Sequence, residues 1–190
     1  MIKRLLLAVT IAVSSVAPAL AVDATLDIPH TQAEFTVTHL AVSKVHGEIP
    51  LVAGTVSFND AGLPTAANAT FDMKGIDSRD SNRDNSLRTD YFETDKYPTM
   101  TFVEKKIEGT PAAFKMTGDL TLHGVTKSVV LTGKVDNSLV IRGKRHVGYS
   151  ASTSIDRRDF GIVFAKMLDN QLIAGYQVDI TIETDAAEKT

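Results

Sequence analysis

The chain has 190 residues, 43% of them apolar and 23% charged, an ordinary globular composition long enough for one domain or at most two small ones and unlike a disordered, collagenous or polytopic membrane protein. Twenty Lys and Arg against 23 Asp and Glu leave a formal charge of −3, so there is no basic excess to hold nucleic acid by counterion release, and no nucleic-acid partner is expected. Cysteine is absent, which removes disulfides, thiolate metal sites, thiol nucleophiles and a lipid-anchoring cysteine.

Residues 1–21 read as a secretory signal peptide. Lys3 and Arg4 precede an apolar run from Leu5 to Val13 relieved only by Thr10, and Ala19-Leu20-Ala21 is a small-x-small cleavage site. The stretch from Leu5 to Ala21 is interrupted by Ser14, Ser15 and Pro18 and falls short of the ~20 apolar residues a spanning helix needs. Cleavage after Ala21 leaves residues 22–190 as one domain and, without Lys3 and Arg4, takes the formal charge from −3 to −5. An acidic, exported domain with no membrane span is expected.

From Val22 onward nearly every segment favours strands. Thr25 to Ile28 and Phe35 to Leu40 are short strands. Val45 to Asn59 is a long one whose phase changes, because Ile49 belongs to one parity and Gly54, Val56 and Phe58 to the other. A bend or bulge near Pro50 to Ala53 follows. After the turn Asn59-Asp60-Ala61-Gly62, the residues Ala67, Ala69, Phe71 and Met73 form the next apolar face.

Ser78 to Tyr97 breaks the pattern, with many Arg and Asp residues and only Leu87, Tyr91 and Phe92 as large hydrophobic side chains. The four-residue spacing of Leu87 and Tyr91 predicts a short helix capping one end of the sheet. Met100 and Phe102 start a strand after Pro98. Phe114, Met116, Gly118, Leu120 and Leu122 alternate with polar residues, and Val125, Val129, Leu131, Gly133 and Val135 do the same across a His123-Gly124 hairpin turn. Val147 to Ile155 alternate again. After a second break at Asp156-Arg157-Arg158-Asp159-Phe160-Gly161, the residues Leu172, Ala174, Tyr176, Val178, Ile180 and Ile182 share the last apolar face. About eight strands without alternating helices point to an antiparallel sandwich or barrel.

Motifs for chemistry are sparse. The five histidines, His30, His39, His46, His123 and His146, include no helical ligand spacing, although His39 and His46 could meet across strands. No nucleophile elbow or phosphate-cradling loop is present. The Arg/Asp segments have two readings: surface ion pairs, each worth under ~1 kcal/mol, or arginines at a barrel mouth that hold a polar or phosphorylated head. Interior size is the deciding question. Gly54, Ala69, Gly118, Gly133, Ala151 and Ala174 alternate with large inward residues and leave room for a slender apolar ligand, unless large side chains interdigitate into the gaps.

Four ordered stretches resemble the YceI-like family of exported polyisoprenoid-binding proteins. They are His30 with Phe35-Thr36-Val37-Thr38-His39 and the following Val45-His46-Gly47 and Gly54-Thr55-Val56-Ser57-Phe58; the run from Arg83 to Phe102; Gly118 to Thr126; and Ile155 to Gly161. Ser86 before Leu87, Tyr91 before Phe92 and Thr31 after His30 depart mildly from the family pattern. The resemblance implies an all-β fold, an extended eight-stranded antiparallel, lipocalin-like barrel capped by one or two short helices. It implies a long-chain isoprenoid lipid, such as a polyprenyl quinone or polyprenyl phosphate, held inside, with no catalytic cofactor and no metal.

The lining role that the resemblance implies is carried only to residues of the right strand parity: Phe35, Val37, Val56, Phe58, Phe71, Met73, Phe102, Met116, Leu120, Leu122, Val129, Leu131, Tyr149, Val178 and Ile180. Leu87, Phe92, Phe160 and Phe164 belong to the cap and the lip, and His39, Arg88 and Arg157 are expected head-group contacts. The setting implied is the periplasm of a Gram-negative bacterium, with a role in lipid transport, storage or envelope stress, and a homodimer is admitted. A non-enzymatic carrier is the leading expectation. The alternatives are an accessory protein in quinone metabolism or redox chemistry, and a filled barrel that serves as an interaction module.

Overall fold

The structure is a computed structural model that describes residues 21–164 and 173–189. The expected signal segment, apart from Ala21, and Leu172 lie outside these residues. Ten strand segments form one antiparallel sheet: β1 (Val22–Leu26), β2 (Gln32–His39), β3 (Ser43–Glu48), β4 (Leu51–Phe58), β5 (Pro64–Asp72), β6 (Thr99–Thr110), β7 (Ala113–Leu122), β8 (Val125–Ile141), β9 (Lys144–Asp156) and β10 (Ala174–Glu188). Pairing of β1 with both β4 and β10 closes the sheet into an eight-stranded barrel.

Ten segments make eight barrel strands because two strands are broken. A single 3₁₀ turn, Ile28–His30, separates β1 from β2, and both pair with β10: Ala24, Thr25 and Leu26 face its last residues, while Gln32 to His39 face its first part. The second break falls at Ile49 and Pro50, between β3 and β4, where the change of parity placed it. A register shift follows between Leu51 and Ala53. Proline cannot donate to a ladder, so the strand is interrupted there. Further bulges between Glu104 and Lys106 and between Val135 and Asn137 add curvature to the long strands.

Period-two burial is plainest in β7, where Phe114, Met116, Gly118, Leu120 and Leu122 are buried and the residues between them are more exposed. The β7–β8 connection is a two-residue turn with φ of 52° at His123 and 73° at Gly124, the geometry that matches strand twist.

The glycines expected to leave gaps have neighbours laid over them. The Phe102 ring covers Gly118, the Phe114 ring covers Gly133 and the Leu26 side chain covers Gly54. These gaps are filled by large side chains lying along the wall, so the lumen is wide where those side chains do not project into it.

One end of the barrel is sealed. Ala24, Phe58, Val147 and Ala186 are 0% exposed there. The buried Tyr149 hydroxyl donates to the Gly62 carbonyl at 2.9 Å, and burial pushes that hydroxyl above the ordinary tyrosine range. The Arg145 guanidinium lies 5.2 Å from the Phe58 ring centroid and donates to the Asn59 and Asp60 carbonyls.

At the other end, among the described residues, the outer edge of β3 is met only by an isolated bridge from Glu48 to Asp77. Residues between β5 and β6 supply the wall here. They form a 3₁₀ turn (Met73–Gly75), helix α1 (Ser81–Ser86) and a π-helical turn (Leu87–Tyr91), the cap that the spacing of Leu87 and Tyr91 predicted.

A methyl group at Gly118 would lie 2.6 Å from the Val103 carbonyl oxygen and strike the Phe102 ring. Gly118→Ala is therefore expected to cost about 1–3 kcal/mol, read as a lower urea midpoint with an unchanged slope.

Candidate functional site

Inside the capped end lies an almost wholly apolar cavity of about 250 Å³. Ala33, Phe35 and Val37 of β2, Val45 of β3, Met100 of β6, Leu122 of β7, Ile155 of β9 and Val178 and Ile180 of β10 line its barrel side. Ile76, Arg83, Ser86, Leu87, Tyr91 and Phe92 line the cap side, and Arg157, Ile162, Phe164 and Ile173 the third side. Toward the sealed end a second apolar space of about 130 Å³ is lined by Val56, Phe71, Phe102, Phe114, Met116, Leu120, Val129, Leu131 and Tyr149. The two spaces share Ala33, Met100 and Ile180, so they follow one another along the barrel interior.

The cap owes its shape to hydrogen bonds close in sequence. Asp80 starts α1 by accepting from the Arg83 backbone N–H at 2.9 Å, which holds its carboxyl below the ordinary range. The buried Asp84 carboxylate accepts from the Ser78 N–H at 2.8 Å and from its hydroxyl at 2.5 Å. Arg83 donates from Nε to the Ser78 hydroxyl and from Nη2 to the Ser78 carbonyl. Much of the charge in this segment thus orders the loop that leads into the helix.

Arg157 performs the same task across the mouth. It is 2% exposed, and its guanidinium donates to the carbonyls of Gly175 at 3.1 Å, Ile162 at 2.7 Å and Ala174 at 3.0 Å. The group also lies 4.3 Å from the Phe164 ring centroid, and Phe164 meets Tyr91 edge to face at 4.4 Å. Cap and lip therefore touch above the cavity. His123 joins them a second time, with Nδ1 donating to the Phe160 carbonyl at 3.1 Å and Nε2 lying 2.9 Å from the Glu93 carboxylate.

Sixteen of the nineteen side chains expected to meet an apolar ligand line one space or the other. Three do not. Phe58 is packed beneath Arg145 at the sealed end; Met73 is buried in the turn after β5; Phe160 is buried in the 3₁₀ turn Arg157–Phe160.

Of the three head-group residues, His39 and Arg157 line the cavity and Arg88 does not. Arg88 reaches back to the Ile76 carbonyl at 3.0 Å, so it ties the helical part of the cap to the segment that follows β5. His39 and His46 do not meet: His39 shares the inward parity of Phe35 and Val37, whereas His46 opposes Thr36 and bonds its hydroxyl at 3.0 Å. Tyr176 leaves its expected face because the ladder shifts between Ala174 and Val178, and its ring lies 3.7 Å from the Arg158 guanidinium. Among the described residues no group of three or more His, Asp or Glu could hold a metal ion.

Several lining residues were missed. Arg83, Leu87 and Tyr91 stand four apart and share a helical face, a signal that would have favoured Arg83 over Arg88. Ile76, Ile162 and Ile173 lie outside regular strands, where alternation has no force.

Residues 25–186 match the sequence profile of the YceI-like domain. The chain is similar to the protein YceI of Escherichia coli O157:H7, 33% identical over 168 residues that cover 84% of this chain and 87% of the relative. It is similar to the crystal structure of the Campylobacter jejuni YceI protein, with a TM-score of 0.69 and 30% identity over 80% of this chain and 90% of that one. A polyisoprenoid binding domain from Saccharophagus degradans shares the fold at a TM-score of 0.62 and 15% identity, covering 88% of this chain and 99% of that one.

Replacing Arg157 with methionine leaves three carbonyls without their charged donor. Arg157→Met is expected to destabilise by about 3 kcal/mol, measured by urea unfolding.

Proposed function

The chain belongs to the YceI-like family, and from that premise we propose that it is a non-catalytic carrier that holds the tail of a long-chain isoprenoid lipid along its barrel interior. The observation that carries the reading is the pair of apolar spaces in series, about 250 Å³ under the cap and about 130 Å³ below. The upper space alone exceeds the ~150 Å³ apolar cavity that stays free of water and accepts a small hydrocarbon. A chain drawn into such a space gains ~0.8 kcal/mol for each methylene removed from water, so affinity needs few polar contacts. This volume supports the carrier reading over a filled barrel.

A flexible unsaturated chain suits the geometry. The two spaces follow one another, their walls are mainly branched aliphatic and aromatic side chains, and the charged side chains among them gather at the capped end. There His39, Arg83 and Arg157 line the cavity, and a quinone or phosphate head would sit near them. Arg83 donates from Nε and Nη2 to Ser78, and Arg157 donates to the carbonyls of Gly175, Ile162 and Ala174, so the tail supplies most of the binding in this reading. Export to a bacterial periplasm through cleavage after Ala21 belongs to the same proposal, as does a part in lipid transport, storage or envelope stress. No catalytic cofactor enters it.

The test is native mass spectrometry of protein purified from a bacterial envelope. A co-purifying prenyl lipid is expected; a chain that is empty and also takes up no prenyl quinone or prenyl phosphate would overturn the reading. Leu120→Trp fills the lower space from a position 5% exposed. It is expected to shift the retained lipids toward shorter chains and to weaken long-chain binding about tenfold, measured by lipid extraction and by competition.

A further inference from the structure

The β2–β3 turn stands at the mouth of the cavity. Thr38 and His39 line that space, and so does Ile173, whose carbonyl accepts from the Leu40 N–H at 3.3 Å. Beyond these residues Leu40 is 54% exposed and Val42 89% exposed. Val163, between the lining residues Ile162 and Phe164, is 41% exposed. The apolar surface inside the cavity therefore continues outward at its rim.

The turn's backbone makes this arrangement costly. Leu40 and Ala41 have φ of 51° and 54°, and the Val42 N–H donates to the His39 carbonyl at 3.1 Å. Two consecutive positive φ values suit Asn-Gly, which would adopt them with little strain and meet water without penalty. Leucine and alanine do neither. Folding stability does not account for them, and strain held at one place in a fold directs attention to what that place does.

Charge narrows the choice of partner. Phe35 to Gly47 contains no Asp or Glu, and its ionisable side chains are His39, Lys44 and His46, in a chain whose formal charge is −3. An exposed apolar tip followed by Ser43 and Lys44 has the chemistry of a segment that enters the head-group layer of an anionic bilayer.

Resting on the carrier reading, we infer that the β2–β3 turn is a membrane-contact point: Leu40 and Val42 enter the interface of a bilayer containing anionic phospholipid and bring the cavity mouth to its surface. An isoprenoid tail then passes between bilayer and barrel without crossing water. Val163 lies beside the path. A second exposed apolar tip, Leu139-Val140-Ile141 on β8, lies at the sealed end, and none of its residues lines either space.

The experiment is flotation of the purified protein with vesicles of phosphatidylethanolamine and phosphatidylglycerol. The variant carries Leu40→Asn, Ala41→Gly and Val42→Ser together, which removes the apolar tip and installs the residues this turn prefers, so folding is preserved. The vesicle-bound fraction is expected to fall about tenfold while the melting temperature holds or rises. Uptake of a dansyl-labelled prenyl phosphate should slow when the probe is delivered from vesicles and stay unchanged when it is added from dilute ethanol.

Failure of the wild-type protein to float, flotation of the variant equal to wild type, or loss of flotation on Val140→Ser instead would overturn the inference. A wild-type protein that takes up no probe from ethanol would strike the carrier reading itself, and flotation would still read the turn separately.

Discussion

Phe102 rests on Gly118 and Phe114 rests on Gly133, and the character of the interior depends on these pairs. An eight-stranded barrel is narrow enough for its own side chains to fill. A ring that lies over a glycine on the next strand takes up space at the wall and leaves the axis clear. Glycine is required because any Cβ there would meet the ring, and the ring is required because bare backbone would face the lumen. The apolar path from Leu122 to Tyr149 exists because large side chains are spread along the wall.

Once the axis is clear, the two ends must differ. At one end Arg145 covers Phe58 and Tyr149 bonds Gly62. At the other, no strand among those described continues the ladder beyond β3, and the cap takes its place. The polar groups of the Arg/Asp segments serve this substitution. Ser78, Asp84 and Arg83 order the loop, Arg88 ties it to Ile76, and Arg157 gathers three carbonyls where strands give way to turns. What resembled a field of surface ion pairs is mainly a set of links to the main chain, which needs donors wherever its ladder stops.

Strand parity made the barrel legible because alternation depends only on which face is buried, and β7 and β9 keep it along most of their length. Pro50 and the His123-Gly124 pair marked a break and a turn through local chemistry that tertiary structure had no reason to override. Parity has no information about depth along the barrel axis, so Phe58 faced inward as expected yet lay beneath the cavity. Nor does it hold past a strand end, which is why Met73, given an inward role, lies in the turn after β5 and Ile162 and Ile173 were overlooked. Arg88 is one residue from Leu87 and therefore about 100° around the helix from it. Arg83, one turn earlier, shares the inward face.

Closure of the ring has a consequence for the order of events during folding. β1 completes its pairing only with Ala186, Ala187 and Glu188, close to the end of the described chain, and β2 depends on the earlier part of the same strand. The first strands made must wait for the last, and such distant pairings form slowly. Until β10 arrives, the future lumen is an open trough whose apolar face is accessible along its length. Under the proposed carrier role, a tail that settles into the trough before closure need not be threaded through the mouth afterwards, so the nascent barrel and the finished one would take it up by different routes.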